Sequence, residues 1–310
     1  MSWTEANIPD LTGKTVVVTG ANSGLGLETT RLLAGRGAHV IMACRTPAKA
    51  EAALQEIQDQ LPKASLEFLP LDLSELASIR AFGDSVSSGH GKLDVLVNNA
   101  GVMALPRRET ADGFEMQLGT NHLGHFALTS VLMPLLLDTP AARVVTVSSL
   151  MHRVGSMRFD DLHGRRSYDK WRAYSQSKLA NLLFCYELDR RLRVVDADVS
   201  SVAAHPGYSA TNLQGVGPQL SGSKLAERFY AFTNKVAAQS AQMGAMPSVF
   251  AAVGDPVSGG GFYGPEGLGQ MRGYPVRVES SRASHDEVAA QRLWMMSIEA
   301  TGETFAMLDE

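Results

Sequence analysis

Tyr174-Ser175-Gln176-Ser177-Lys178 sets a phenol and an ammonium four residues apart, which on a helix makes them neighbours on one face. At ~5 Å and an effective dielectric of ~20, the cation favours phenolate by ~3 kcal/mol, enough to bring a tyrosine of pKa ~10 about two units toward neutrality. Tyr174 is then expected to exchange a proton with a substrate oxygen near pH 7. Tyr168 and Tyr186 meet Arg172 and Arg190 at the same spacing, but a guanidinium cannot give up a proton to a relay. Ser149 closes the run Val144-Val145-Thr146-Val147-Ser148, where a hydroxyl at the carboxyl end of a parallel strand can hold a carbonyl oxygen. Taken singly, Ser149 reads as a strand-end or helix-capping serine, and its case rests on the residues around it.

A second chemistry is written into Gly20-Ala21-Asn22-Ser23-Gly24-Leu25-Gly26, which follows the apolar run Val16-Val17-Val18-Thr19 and opens an amphipathic stretch. A strand, a glycine turn and a helix in that order place pyrophosphate at a helix N-terminus, where backbone amides approach phosphate because side chains are absent. The spacing is Gly-x-x-x-Gly-x-Gly rather than Gly-x-Gly-x-x-Gly, so the common dinucleotide fingerprint is not met. An acidic residue about 20 positions on would mark NAD. The second strand instead ends Met42-Ala43-Cys44-Arg45-Thr46, and a guanidinium there suits a 2′-phosphate, which favours NADP(H) over NAD(H).

These residues need a scaffold that brings strand ends together. β-branched runs at 15–19, 39–43, 65–69, 95–97, 143–147, 199–203 and 261–263 predict about seven strands. Helical periodicity marks 25–36, 47–60, 73–88, 114–136 and 171–193. The alternation predicts a single-domain α/β fold over 1–310, Rossmann-like, with a doubly wound parallel sheet covered by helices on both faces. A Gly- and Ser-rich stretch at 215–223 suggests a mobile substrate-side segment near 208–233. Its Leu213, Val216, Leu220, Leu225, Phe229, Tyr230 and Phe232 suit an apolar cleft, a packing face or a dimer contact equally.

The chain's 310 residues, 45% hydrophobic and 19% charged, exclude disorder and stapled mini-protein scaffolds. A net charge of −4 gives no pull toward nucleic acid or anionic lipid. Cys44 and Cys185 are too few for a disulfide framework, so a reducing, cytoplasmic setting is expected. No window approaches the ~18 apolar residues of a membrane span. Neither a Gly-x-Ser-x-Gly elbow nor a P-loop occurs. His122 and His125, three apart on a helix, lack a third ligand and read as packing or polar-face histidines, so no metal is expected.

With Thr19-Gly20-x3-Gly24-x-Gly26, Asn98-Asn99-Ala100-Gly101, Ser149, Tyr174-x3-Lys178 and Pro206-Gly207 in this order, the chain resembles the short-chain dehydrogenase/reductase family from Leu11 to its end. The stretches 119–126 and 174–181, with His205-Pro206-Gly207, resemble its retinol dehydrogenase and WW-domain oxidoreductase branch. The resemblance implies hydride transfer between NADP(H) and a carbonyl or alcohol carbon of a lipophilic small molecule. By it, Tyr174 is the general acid/base, Lys178 lowers its pKa and binds the nicotinamide ribose, Ser149 orients the substrate oxygen, and Asn121 anchors a water leading from Lys178.

Implied cofactor contacts are Gly20, Asn22, Ser23, Gly24, Leu25 and Gly26 at the pyrophosphate, Arg45 at the 2′-phosphate, and Asp72 and Leu73 beside the adenine. Asn99, Ala100 and Gly101 flank the cofactor, Tyr174 and Lys178 meet it, and Pro206, Gly207 and Thr211 lie on its nicotinamide side. The 25 residues from Ser149 to Tyr174, with Arg153, Arg158, Arg165 and Arg166, are expected to wall the substrate side. The long helices suit a homodimer or homotetramer. The chain begins about fourteen residues before its first strand, where membrane-bound members of this branch carry an anchor, so retinoid metabolism is not implied. The alternative is a catalytically silent NADP(H)-binding sensor or scaffold. A sugar-nucleotide epimerase shares the Tyr-x3-Lys pair but differs in its glycine spacing.

Overall fold

A computed structural model describes residues 2–208 and 239–308. Eight strands form one sheet in the order β3-β2-β1-β4-β5-β6-β7-β8. They are β1 (Thr15–Thr19), β2 (His39–Cys44), β3 (Ser65–Pro70), β4 (Val95–Asn98), β5 (Ala142–Val147), β6 (Val199–Ala204), β7 (Phe262–Pro265) and β8 (Pro275–Arg277). All neighbours run parallel except β7 and β8. The expected seven strands become eight because β8 is a three-residue antiparallel return that starts at a proline, too short to show a period.

The helices are α1 (Gly24–Ala34), α2 (Pro47–Gln60), α3 (Leu76–Gly89), α4 (Met116–Leu118), α5 (Gly124–Leu137), α6 (Lys170–Val194), α7 (Ala241–Val253) and α8 (Glu287–Thr301). Both faces of the sheet are covered, which is why its strands read as continuous apolar runs. Alternation still sorts them: Val16 and Val18 pack with α1, α2 and α7, Val17 with α3, α5, α6 and α8. Among the described residues, two helices escaped the periodicity reading. Helix α7 is apolar nearly all round, with every residue from Gly244 to Ala252 buried, so it shows no polar face. Helix α8 carries end signals that point to it: Asp286 Oδ1 accepts from Ala289 N at 3.0 Å, and Gly302 ends it in a left-handed turn (φ 70°).

The predicted helix 114–136 is interrupted. Between α4 and α5 the five residues Gly119–Leu123 form a π-helical turn, a local widening often found at functional sites. It puts Asn121 inside the molecule. The predicted helix 73–88 starts instead at Leu76, because Asp72 holds the preceding turn through Ser74 N at 2.9 Å and Ser74 Oγ at 2.6 Å.

Candidate active site

Strand β5 ends at Val147, and the next two serines diverge in use. Ser148 Oγ donates to the Lys178 carbonyl at 2.8 Å, tying the strand end to α6. Ser149 starts the 3₁₀ turn Leu150–Val154, its Oγ accepting from Met151 N at 3.2 Å, and its hydroxyl lies beside that of Tyr174. Helix α6 begins one turn before Tyr174 because Asp169 caps it, accepting from Trp171 N at 3.1 Å and Arg172 N at 2.8 Å. Lys178 Nζ lies 5.9 Å from the centre of the Tyr174 ring and donates to the Val147 carbonyl at 3.1 Å. The helical neighbours are thus brought to the strand end as a pair.

Their electrostatics differ from the simple charge argument. Tyr174 is 6% exposed and Lys178 5%. Burial pushes the phenol up to about 12, opposed by the neighbouring Ser149 hydroxyl, and brings the lysine down to about 8. The expected fall of the tyrosine pKa is therefore not found. A charge pair on an exposed helix face favours both ions, whereas withdrawal from water disfavours phenolate and ammonium alike.

Asn121 joins this group through its side chain. Its Oδ1 accepts from Val102 N at 2.7 Å, and its Nδ2 donates to Val102 O at 2.9 Å and to Ser177 Oγ at 2.9 Å. Ser177 Oγ in turn donates to the Tyr174 carbonyl at 2.8 Å. The amide is thereby a buckle between the loop after β4 and helix α6. Its own carbonyl accepts from His125 Nδ1 at 3.0 Å, which leaves His125 Nε2 as the acceptor for Thr19 Oγ1 at 2.9 Å. Thr19 Oγ1 then accepts from Asn99 N and Ala100 N, each at 2.9 Å. Burial holds His125 down to about 4 and His122 down to about 3, so both are neutral. His122 Nε2 donates to Ser297 Oγ at 2.9 Å.

The glycine turn sits where the sequence placed it. Gly20 (φ 66°) and Gly24 (φ 54°) are left-handed, the conformation glycine alone adopts freely. A Cβ on Gly26 would lie 2.2 Å from the Gly20 carbonyl oxygen and 2.6 Å from Asn99 Nδ2. That amide donates to the Thr19 carbonyl at 2.7 Å. Ser23 makes no side-chain cap on α1, so the first amides of an eleven-residue helix have no such partner. Asn22 and Leu25 are half-buried beside it. Gly101 closes the row: a Cβ there would stand 3.0 Å from Asn121 Oδ1 and 3.6 Å from Lys178 Nζ. This cradle fits a dinucleotide phosphate, with bare backbone at one end and a cation at the other.

Arg45 extends from the end of β2, 69% exposed, with Nη1 3.9 Å from Asp72 Oδ2. Leu73, expected beside the adenine, turns its side chain into the core with α3 and α5, leaving Asp72 as the side chain at this edge. Past β6, Gly207 (φ 64°) donates its N–H to His205 Nδ1 at 3.1 Å. His205 Nε2 then donates to Gln270 Oε1 at 3.1 Å, and burial keeps the ring neutral, down to about 3. Gln239 donates from Nε2 to Pro206 O at 2.8 Å and from its N–H to Tyr208 O at 2.9 Å. Thr211 and the segment expected to line the substrate side lie outside the described residues, apart from Tyr208.

The Arg-rich stretch before Tyr174 is tied to α6. Arg158 N donates to Gln176 Oε1 at 2.9 Å, and Gln176 Nε2 donates to Leu162 O at 2.9 Å. Three histidines hold positions whose roles the sequence did not show: His125, read as a packing or polar-face histidine, His205, quoted only within His205-Pro206-Gly207, and His152, not singled out. His152 Nδ1 donates to the Ser149 carbonyl at 2.6 Å while its Nε2 accepts from Ser281 N at 3.1 Å. The usable signal was proximity, since His152 follows Ser149 by one turn and His205 precedes Pro206-Gly207.

Residues 14–218 match the family model described as short chain dehydrogenase. Human retinol dehydrogenase 13 is 40% identical over 306 residues, covering 96% of this chain and 86% of its own length. Mouse retinol dehydrogenase 12 is 40% identical over 299 residues, with 96% and 89% covered. The crystal structure of an uncharacterized protein from Mycobacterium paratuberculosis superposes with a TM-score of 0.81 at 43% identity, covering 98% of this chain and 99% of that one. No helix among the described residues is long and apolar enough to cross a membrane.

Proposed function

The chain belongs to the short-chain dehydrogenase family, and from that premise we propose that it is an NADP(H)-dependent oxidoreductase interconverting a carbonyl and an alcohol on a lipophilic small molecule. The observation that carries the reading is the buried Tyr174 beside Ser149, with Lys178 one helical turn on and its Nζ 5.9 Å from the Tyr174 ring centre. The residues that would hold the dinucleotide are those of the turn Gly20–Gly26, Arg45 at the 2′-phosphate, Asn99 to Gly101, Lys178, Pro206 and Gly207. When bound, the dinucleotide supplies or accepts hydride at the substrate carbon.

The chain's own residues manage the oxygen. Ser149 stands beside the Tyr174 hydroxyl, so a carbonyl oxygen placed between them is oriented by both and receives its proton from Tyr174 in reduction. Because burial keeps the phenol protonated across neutral pH, the acid required for reduction is the resting form. The Lys178 cation stands beside the phenolate left behind and makes its formation less costly. In oxidation the same phenolate takes the proton back. Asn121 holds the helix that carries both groups.

The lipophilic substrate rests on the family branch, and the names of the relatives put retinol and retinal first on a substrate panel beside aliphatic, aromatic and steroid carbonyls. The test is NADPH and NADH consumption by the purified protein across that panel. Turnover with NADPH in clear preference to NADH supports the reading. Tight NADPH binding without turnover on any carbonyl would replace it with a nucleotide sensor.

A further inference from the structure

The sheet's amino-terminal edge, opposite the strand ends that carry Ser149 and Asn99, gathers three side chains that ligate transition metals. His39 opens β2 and Glu67 lies in β3, in a register that pairs His39 with Ser65 and Ile41 with Glu67. His90 is the residue that ends α3. Glu67 Oε2 is 3.3 Å from His39 Nε2 and 2.9 Å from His90 Nε2. Among the described residues this is the single group of three or more His, Cys, Asp or Glu whose ligand atoms all fall within 4.8 Å of one another.

From this convergence we propose that His39, Glu67 and His90 form a binding site for one divalent cation of the zinc class. Two imidazole nitrogens and one carboxylate oxygen are the donor set such ions prefer, whereas magnesium and calcium seek oxygen throughout. A second observation concerns orientation. The other ring nitrogen of His39, Nδ1, is hydrogen-bonded to Ser65 Oγ at 2.8 Å, the outer contact that fixes a ligating imidazole with its far nitrogen aimed at the metal. The His90 ring lies alongside, 5.3 Å away between centroids and tilted by 33°, so both Nε2 atoms point to one place. Side-chain exposures of 30%, 36% and 17% for His39, Glu67 and His90 leave an entry path and room for a water as fourth ligand.

An ion here would cross-link β2, the edge strand β3 and the end of α3, taking the place of the direct His39–Glu67 and His90–Glu67 contacts. It would act as a structural clamp, separate from the Tyr174 site. The alternative is a hydrogen-bonded His–Glu–His cluster that needs no ion.

The two are separated by titrating chelator-treated full-length protein with Co²⁺, followed by its visible absorption, and with Zn²⁺ in competition. The proposal expects one equivalent bound and a rise in melting temperature with saturating Zn²⁺. Glu67→Gln and His90→Gln should each weaken binding at least ~10-fold and abolish the melting shift, and Ser65→Ala should weaken it roughly 10-fold through the lost outer contact. His285→Gln, at a histidine stacked on Tyr186 elsewhere, should change nothing. Wild-type protein that takes up no stoichiometric metal overturns the proposal whatever the variants do. So does uptake that survives Glu67→Gln and His90→Gln unchanged.

Discussion

At one end of the sheet's carboxyl edge, Tyr174 and Lys178 are buried among polar groups bonded to protein: Ser148 to Lys178, Lys178 to Val147, Asn121 to Val102 and Ser177. At the other end Arg45 reaches into solvent and touches a single carboxylate at 3.9 Å. Burial sets the protonation of the first pair, at about 12 and about 8. An exposed ion pair like the second adds little to stability. The inner residues should therefore control rate, the outer arginine only which dinucleotide binds.

A large separation is expected from Ser149→Ala. Removing one preorganised donor at the reacting oxygen should lower kcat by ~10²–10³, with NADPH affinity unchanged in a fluorescence titration. If affinity falls instead, the two ends are not independent. Arg45→Ala should do the reverse. Loss of charge-assisted bonds worth ~1.5–3 kcal/mol weakens NADPH binding ~10–100-fold. NADH binding, kcat and thermal stability should hold, and a fall in kcat would break the comparison.

Gly26→Ala probes the glycine turn between the two ends. Its Cβ would stand 2.2 Å from the Gly20 carbonyl, so denaturant unfolding should show a loss of ~1–3 kcal/mol. A neutral result would mean the turn yields. The smallest signal is a slope. Burial lowers Lys178 to about 8 from 10.5, so between those values the unfolded chain binds more protons, and stability gains a rising component with pH. Lys178→Met should remove it, seen as a flatter stability-versus-pH curve above pH 8; identical curves would place the lysine in water.

Much of this was legible beforehand, for physical reasons. The Tyr174–Lys178 adjacency follows from helical geometry alone, and the glycine turn from backbone that no other residue adopts freely. The direction of the Tyr174 shift was not legible, because a pair of residues in sequence says nothing of what covers them. Strand β8 is too short to have a period, and α7 has no polar face to reveal one. The roles of His125, His152 and His205 depend on partners as distant in sequence as Thr19, Ser281 and Gln270. Only the fold brings those together.

The most direct test of the central claim is Tyr174→Phe, which keeps the buried ring and removes its hydroxyl. Its NADPH affinity and its rate of carbonyl reduction should be measured beside the wild type. The account predicts wild-type affinity with kcat reduced by ~10²–10⁴, the contribution of a positioned general acid. Reduction at the wild-type rate would contradict it and move the proton donor elsewhere.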